Sequence, residues 1–219
     1  MEGRRILIWD LPTRLFHWSL VVLFLLSWWS GEQGGAAFKF HQWSGYTILA
    51  LLLFRLTWGV VGGETSRFAH FVHGPRRVLR AVAELLAPTP LAQSGHNPLG
   101  GWMVVALLLG LLVQTVTGLF ANDDIMNEGP LMARISKDLS DTLSGVHGFN
   151  FGVLLALVGV HVLAIVYHRL RKGERLTRAM ITGYRTLPAS ATAPRTSSGW
   201  LAVVLLALAA GIVAVLINL

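Results

Sequence analysis

Five stretches of this sequence, at about 15–30, 41–62, 100–121, 146–168 and 199–218, are long, apolar and almost free of charge. A helix needs roughly 20 mostly apolar residues to cross the hydrocarbon core of a bilayer. The composition agrees, with 53% of the 219 residues hydrophobic and only 13% charged, a balance suited to lipid rather than water. The expected fold is an all-α integral membrane protein with five transmembrane helices.

A net charge of +7 can point to nucleic acid, but the positions of the charges argue otherwise. Arg4, Arg5 and Arg14 lie at the start, and Arg67, Arg76, Arg77 and Arg80 lie between the second and third runs. Arg169, Arg171, Lys172, Arg175, Arg178, Arg185 and Arg195 follow the fourth. The two remaining connections set Lys39, Arg134 and Lys137 against Glu32, Asp123, Asp124, Glu128, Asp138 and Asp141. Basic residues thus alternate sides with the spans, the positive-inside pattern, which puts the N-terminus in the cytoplasm. The charge reports topology, and no nucleic-acid partner is expected.

The chain has no cysteine, which removes disulfides, thiolate-held clusters and covalent haem attachment through C-x-x-C-H. A cofactor must then be held noncovalently, with histidine as its ligand. The opening "MEGRR" before an apolar run, and "GGAA" after it, have the outline of a leader and cleavage site. His17 and the pair Trp28–Trp29 read instead as a retained first span with tryptophans at the outer interface.

Spans one and two are joined by the short "GEQGGAAFKF" and are expected to be antiparallel neighbours. The inner connection holds an amphipathic piece around 76–86, where Val78, Leu79, Val82, Leu85 and Leu86 stand against arginines, as in a helix lying on the membrane surface. The outer connection from Asn122 to Gly145 is acidic and long enough for a small cap. Residues 186–198, "TLPASATAPRTSS", read as a flexible linker. The expected organisation is a four-helix core over 1–185, that linker, and an accessory transmembrane helix over 199–219.

Within the fourth run, His147 and His161 are 14 residues apart. On a helix this is a net turn of about −40° and a rise of about 21 Å, so both imidazoles leave one side near opposite membrane faces. Span two runs inward from His41, which sets His41 level with His147. Span one runs outward, and the 13 residues from His17 to Ser30 put His17 about 20 Å below the outer end, at the depth of His161. Two levels, each with two facing histidines, fit a pair of b-type haems with bis-imidazole axial ligation, and such iron does one-electron transfer. Arg55, 14 residues after His41, is a charge deep within a span; an inner-haem propionate or the carbonyl of a quinone would offset its burial.

Other polar positions have plainer readings. His168 rivals His161 as a ligand, its ordinary role being an interfacial residue beside Arg169. His70 and His73 have metal-binding spacing without a third ligand of that class, and His96 sits in a turn. Gln114, Thr115 and Thr117 suit bonds between helices, and Gly45 and Gly152 suit either a porphyrin or close packing.

The segments "WDLPTRLFHWSLV", "FHQWSGYTILALLLFRLTWG", "GHNPLGGWMVVALLL", "TGLFANDDIMNEGPL", "GVHGFNFGVLLALVGVHVLAIVYH" and "MITGYR" resemble the bacterial cytochrome b561 family, including the b-type cytochrome subunits of nickel–iron hydrogenases. The resemblance covers roughly 7–185. It implies a dihaem cytochrome of the bacterial inner membrane exchanging electrons with the quinone pool, with His41 and His147 on the outer haem and His17 and His161 on the inner. It also places a quinone near the inner haem, around Arg55, Arg14 and His168. The fifth helix departs from the family's four-span core.

The functional expectation is transmembrane electron transfer between quinone and a periplasmic redox partner, a c-type cytochrome or hydrogenase-like subunit, in a protein bathed by membrane lipid. The acidic outer connection offers a docking surface for a basic carrier. Two alternatives stand beside it. One is a superoxide:quinone oxidoreductase, which would favour a basic outer funnel where this sequence has only Lys39, Arg134 and Lys137. The other is a haemless membrane anchor or metal-ion carrier using the same histidines for zinc.

Overall fold

The computed structural model describes residues 3–85 and 97–219. Leu86 and His96 lie outside the described residues. Among the described residues, five helices are long and apolar enough to span a membrane: α1 (Leu11–Gln33), α2 (Phe38–Val61), α5 (Pro98–Gly118), α6 (Lys137–Arg171) and α8 (Gly199–Leu216). Between them lie the short α3 (Phe68–Phe71), α4 (Pro75–Leu85) and α7 (Leu176–Thr182), and two strands, β1 (Gly3–Leu7) and β2 (Tyr184–Pro188). The fold is that of an all-α integral membrane protein, with one small sheet added.

The helix starts follow from local chemistry. Asp10 caps α1 by accepting the Thr13 amide at 2.9 Å, with Pro12 inside the first turn. Asn97 caps α5 in the same way through the Gly100 amide, and Ser136 caps α6 through that of Leu139. Each side-chain oxygen satisfies an amide that no carbonyl within the helix can reach. Helix α1 stops at Gly34, whose φ of 60° lies in the left-handed region open to glycine.

Helix α2 is the centre of the bundle. Ile48, Leu51, Leu52, Phe54 and Trp58 are buried on it, and they pack with Phe16 of α1, Leu108 and Leu111 of α5, Leu154 of α6, and Ala202 and Ala209 of α8. The fifth span docks through these two alanines and Val213, which joins Leu49 and Ala50; small residues let two helices approach closely in lipid, where no hydrophobic drive brings them together and packing must do so. The other spans turn apolar residues outward, among them Val22 and Leu25, Leu109, Val160 and Leu163, and Leu208 and Ile212. A girdle of that extent needs hydrocarbon around it.

The two ends of the bundle differ. At one end, which is acidic, α1 joins α2 and the 119–136 connection joins α5 to α6. The Asp123 carboxylate accepts the amides of Ile125, Met126 and Asn127, and these bonds hold it below the usual carboxylate range. Lys137 pairs with Asp124 and Asp141, while Gln42 Nε2 donates to the Glu128 carbonyl at 3.0 Å and ties the cap to α2.

At the other end, which is basic, β1 and β2 pair antiparallel with Gly3 opposite Pro188 and Leu7 opposite Tyr184. Ile6, Ile8, Trp9, Ala179 and Leu187 form a small separate core beneath them. Helix α7 ends at Gly183 (φ 86°), whose carbonyl accepts the amides of Ile8 and Trp9. The segment read as a linker begins inside β2, and further along it Arg195 and Glu64 exchange bonds: the Glu64 amide donates to the Arg195 carbonyl, and the Arg195 amide to Glu64 Oε2. Helix α4 occupies the stretch read as amphipathic; its Ala81 is buried, while Leu79 and Val82 are exposed.

Candidate functional site

Helices α1 and α6 meet through rings rather than backbones. His17 faces His161 with ring centroids 6.5 Å apart, and His41 of α2 faces His147 with centroids 6.1 Å apart. Between these two levels Phe151 packs on Phe24 and Trp28. Because α6 is unbroken from Lys137 to Arg171, His147 and His161 are separated by about 21 Å along it. The pairs anticipated from spacing are brought together, and His168 is not part of either.

The separation within each pair carries chemical meaning. An imidazole nitrogen bonds a metal ion at about 2 Å and lies about 1.1 Å from its ring centroid, so two imidazoles on opposite sides of one ion stand about 6.2 Å apart. The observed 6.1 and 6.5 Å bracket that value. A tetrahedral zinc ion would need further protein ligands, and among the described residues no three histidine or carboxylate groups gather. A planar macrocycle that brings its own four nitrogens is what such pairs suit.

The pair nearer the acidic end, His41 and His147, is held in the matching tautomer. His41 Nδ1 donates to the Ser27 carbonyl at 2.8 Å, and His147 Nδ1 to the Gln114 carbonyl at 2.9 Å. Each Nε2 then keeps its lone pair for a metal, and the bond behind the ring makes it a better donor. Both rings face a cavity of about 350 Å³ lined by Phe24, Trp28, Gly45, Ile48, Leu111, Gly148 and Phe151, among others. A Cβ at Gly45 or Gly148 would meet nothing within 4 Å, whereas one at Gly31 or Gly118 would come within 2.9 Å of the His41 or His147 ring. Two glycines therefore keep open space and two admit the ligand rings.

The half nearer the basic end is marked by buried nitrogens. His17 Nδ1, Arg14 Nε and Arg55 Nη1 are buried without a hydrogen-bond partner. Arg55 is 3% exposed, lies over the Phe68 ring at 5.0 Å and near that of Phe71, and forms no ion pair among the described residues. Its field is balanced in part by Asp10, whose Oδ2 accepts Trp58 Nε1 and Ser66 Oγ. Arg14 Nη1 donates to the Ile181 carbonyl. His168 Nδ1 lies 3.2 Å from Glu174 Oε2, a carboxylate shared with Arg185. The three residues expected around a quinone are thus engaged with different neighbours.

Comparison with known families identifies the class of protein to which these histidines belong. The family model described as prokaryotic cytochrome b561 matches residues 8–183. This chain belongs to the prokaryotic cytochrome b561 family. Membership makes it a membrane b-type cytochrome of electron transfer, with haem b as cofactor. Neither the comparison with curated proteins nor that with solved structures found a match. In this cytochrome b561 the matched residues run from just after β1 to the end of α7, so β1, β2 and α8 lie outside the match.

Sequence reasoning missed the Asp10 network, although "WDLP" carries the signal of a capping acid before a proline in the first helical turn. The Ser27 and Gln114 carbonyls left no signal at all, because every residue has a carbonyl. The Asn150 amide, which donates to Gly110 O and Gln114 Oε1 between α5 and α6, is the structural reason for Gln114.

Proposed function

We propose that this cytochrome b561 holds two haems b, one at each histidine level, and carries electrons across the bacterial inner membrane between the quinone pool and a redox partner on the periplasmic side. The observation that carries the reading is the repetition of one ring separation at two depths of a single helix. His41 and His147 would hold the outer haem and His17 and His161 the inner one, and haem held by two imidazoles would supply one-electron chemistry. Phe24, Trp28 and Phe151 exclude water between the levels.

Arg55 offers its free Nη1 to an inner propionate or to a quinone carbonyl. The excess of arginine at the end bearing both strands supports a cytoplasmic N-terminus, so the acidic end faces the periplasm and receives a c-type cytochrome or a hydrogenase-like subunit.

The test is a pyridine haemochrome count and a reduced-minus-oxidised spectrum on the purified wild type, His147→Ala, His161→Ala and His168→Ala. Two haems b per chain are expected, with one lost in each of the first two variants and none in the third. Substoichiometric haem in the wild type, or loss in His168→Ala in place of His161→Ala, overturns the scheme. Reduction of the haems by a quinol in proteoliposomes tests the electron source.

A further inference from the structure

At the basic end, the turn from α6 into α7 encloses a cleft of about 420 Å³ lined by Ile165, Arg169, Glu174, Arg175, Leu176, Thr177 and Arg178. Three guanidinium groups share this cleft with one carboxylate. That carboxylate is already engaged: Glu174 Oε2 lies 3.2 Å from His168 Nδ1, and Oε1 lies 3.5 Å from Arg185 Nη2. Arg169, Arg175 and Arg178 enter no ion pair among the described residues. The cleft therefore presents uncompensated positive charge at its wall.

We propose that this cleft binds the phosphodiester headgroup of an anionic phospholipid. Arginine suits the ligand because its planar fork donates two parallel bonds to phosphate oxygens. Lipid is favoured over free phosphate by what continues from the cleft. Val162, Leu163, Val166 and Leu170 are exposed along the last turns of α6, Leu163 and Leu170 by 68% and 76%, so acyl chains have an apolar track beside the charged mouth. Basic pockets at the end of a transmembrane helix are suited to anionic headgroups, whose surface potential adds to the pairwise attraction.

Location gives the site a consequence. Arg14 and Trp18 of α1 donate to the carbonyls of Ile181 and Met180, at the end of α7. A headgroup held by Arg169 on α6 and by Arg175 and Arg178 beside it would fasten α7 to α6, and α7 is already fastened to α1. The lipid then acts as a clamp across the basic end. The inference rests on the spanning helices alone and not on the haem assignment.

The experiment is native mass spectrometry of the full chain, stripped of lipid in neutral detergent and then given phosphatidylglycerol or phosphatidylcholine, with inorganic phosphate as a competitor. Compared with wild type, the triple variant Arg169→Gln, Arg175→Gln, Arg178→Gln is expected to retain phosphatidylglycerol about tenfold less, with phosphatidylcholine weak in both. Arg134→Gln, at the opposite end, is expected to behave as wild type, and Arg→Lys at the same three positions to lose less than Arg→Gln. Circular dichroism and thermal melts identify a variant that has misfolded; the Lys variant then carries the test. Equal retention by wild type and the Gln variant overturns the proposal, as does full displacement by inorganic phosphate, which would mark a free-anion site. Lipid selectivity without bound haem would sink the proposed function and leave this inference standing.

Discussion

At the scale of single residues, His41 and His147 show how little room a paired histidine is given. A Cβ at Gly31 would lie 2.9 Å from His41 Nδ1, and one at Gly118 would lie 2.9 Å from His147 Cε1. Gly31→Ala and Gly118→Ala are expected to push the ring off its carbonyl partner; on the proposed two-haem scheme this leaves the haem at His41 and His147 weakly bound or shifted in potential while the other is unchanged. Gly211→Ala, whose Cβ meets nothing within 4 Å, is the control. A redox titration followed at the haem bands reads the result, and two unaltered waves in Gly31→Ala would contradict it. The histidine pairs were legible because 14 residues nearly complete four helical turns, a rule that works without neighbours. The partners of Arg55 and His168 were not. The rings of Phe68 and Phe71 reach Arg55, and the turn after α6 brings Glu174 back to His168, through folding of the chain that helical periodicity does not encode.

Among elements, α2 and α8 show the same division. Both were visible as apolar runs, since hydropathy reports the medium around a helix. Which helix sits in the middle is a matter of packing, and α2 alone is buried on most of its length. The docked face of α8 relies on Ala202 and Ala209 at 7% and 4% exposure. Ala209→Leu is expected to destabilise this contact by about 1–3 kcal/mol through overpacking, seen as a lower melting temperature with the haem spectrum intact. An unchanged melt would mean that α8 is attached loosely and serves as a tether. The small sheet could not be foreseen: "GRRIL" and "YRTLP" are five residues each, polar and far apart in sequence, and neither shows the alternation that marks a strand.

For the whole molecule, the two ends commit the chain to an orientation, and its lack of cysteine makes that orientation easy to read. Met126 is 86% exposed at the acidic end, and Thr192 is exposed at the basic end. Met126→Cys is expected to react with a membrane-impermeant maleimide from the periplasmic side, and Thr192→Cys only once the membrane is opened. The reverse labelling would invert the topology and with it the assignment of inner and outer haems. The order in which the molecule is made adds a constraint of another kind. Strand β1 leaves the ribosome well before its mate, which ends at Pro188, and α2 is made before α8, which covers it. The earlier spans must therefore wait in the bilayer with their basic ends untied, and the bundle stays open-sided until α8 has been translated. Closure of the sheet is a finishing step, and whatever enters the bundle has the length of synthesis in which to do so.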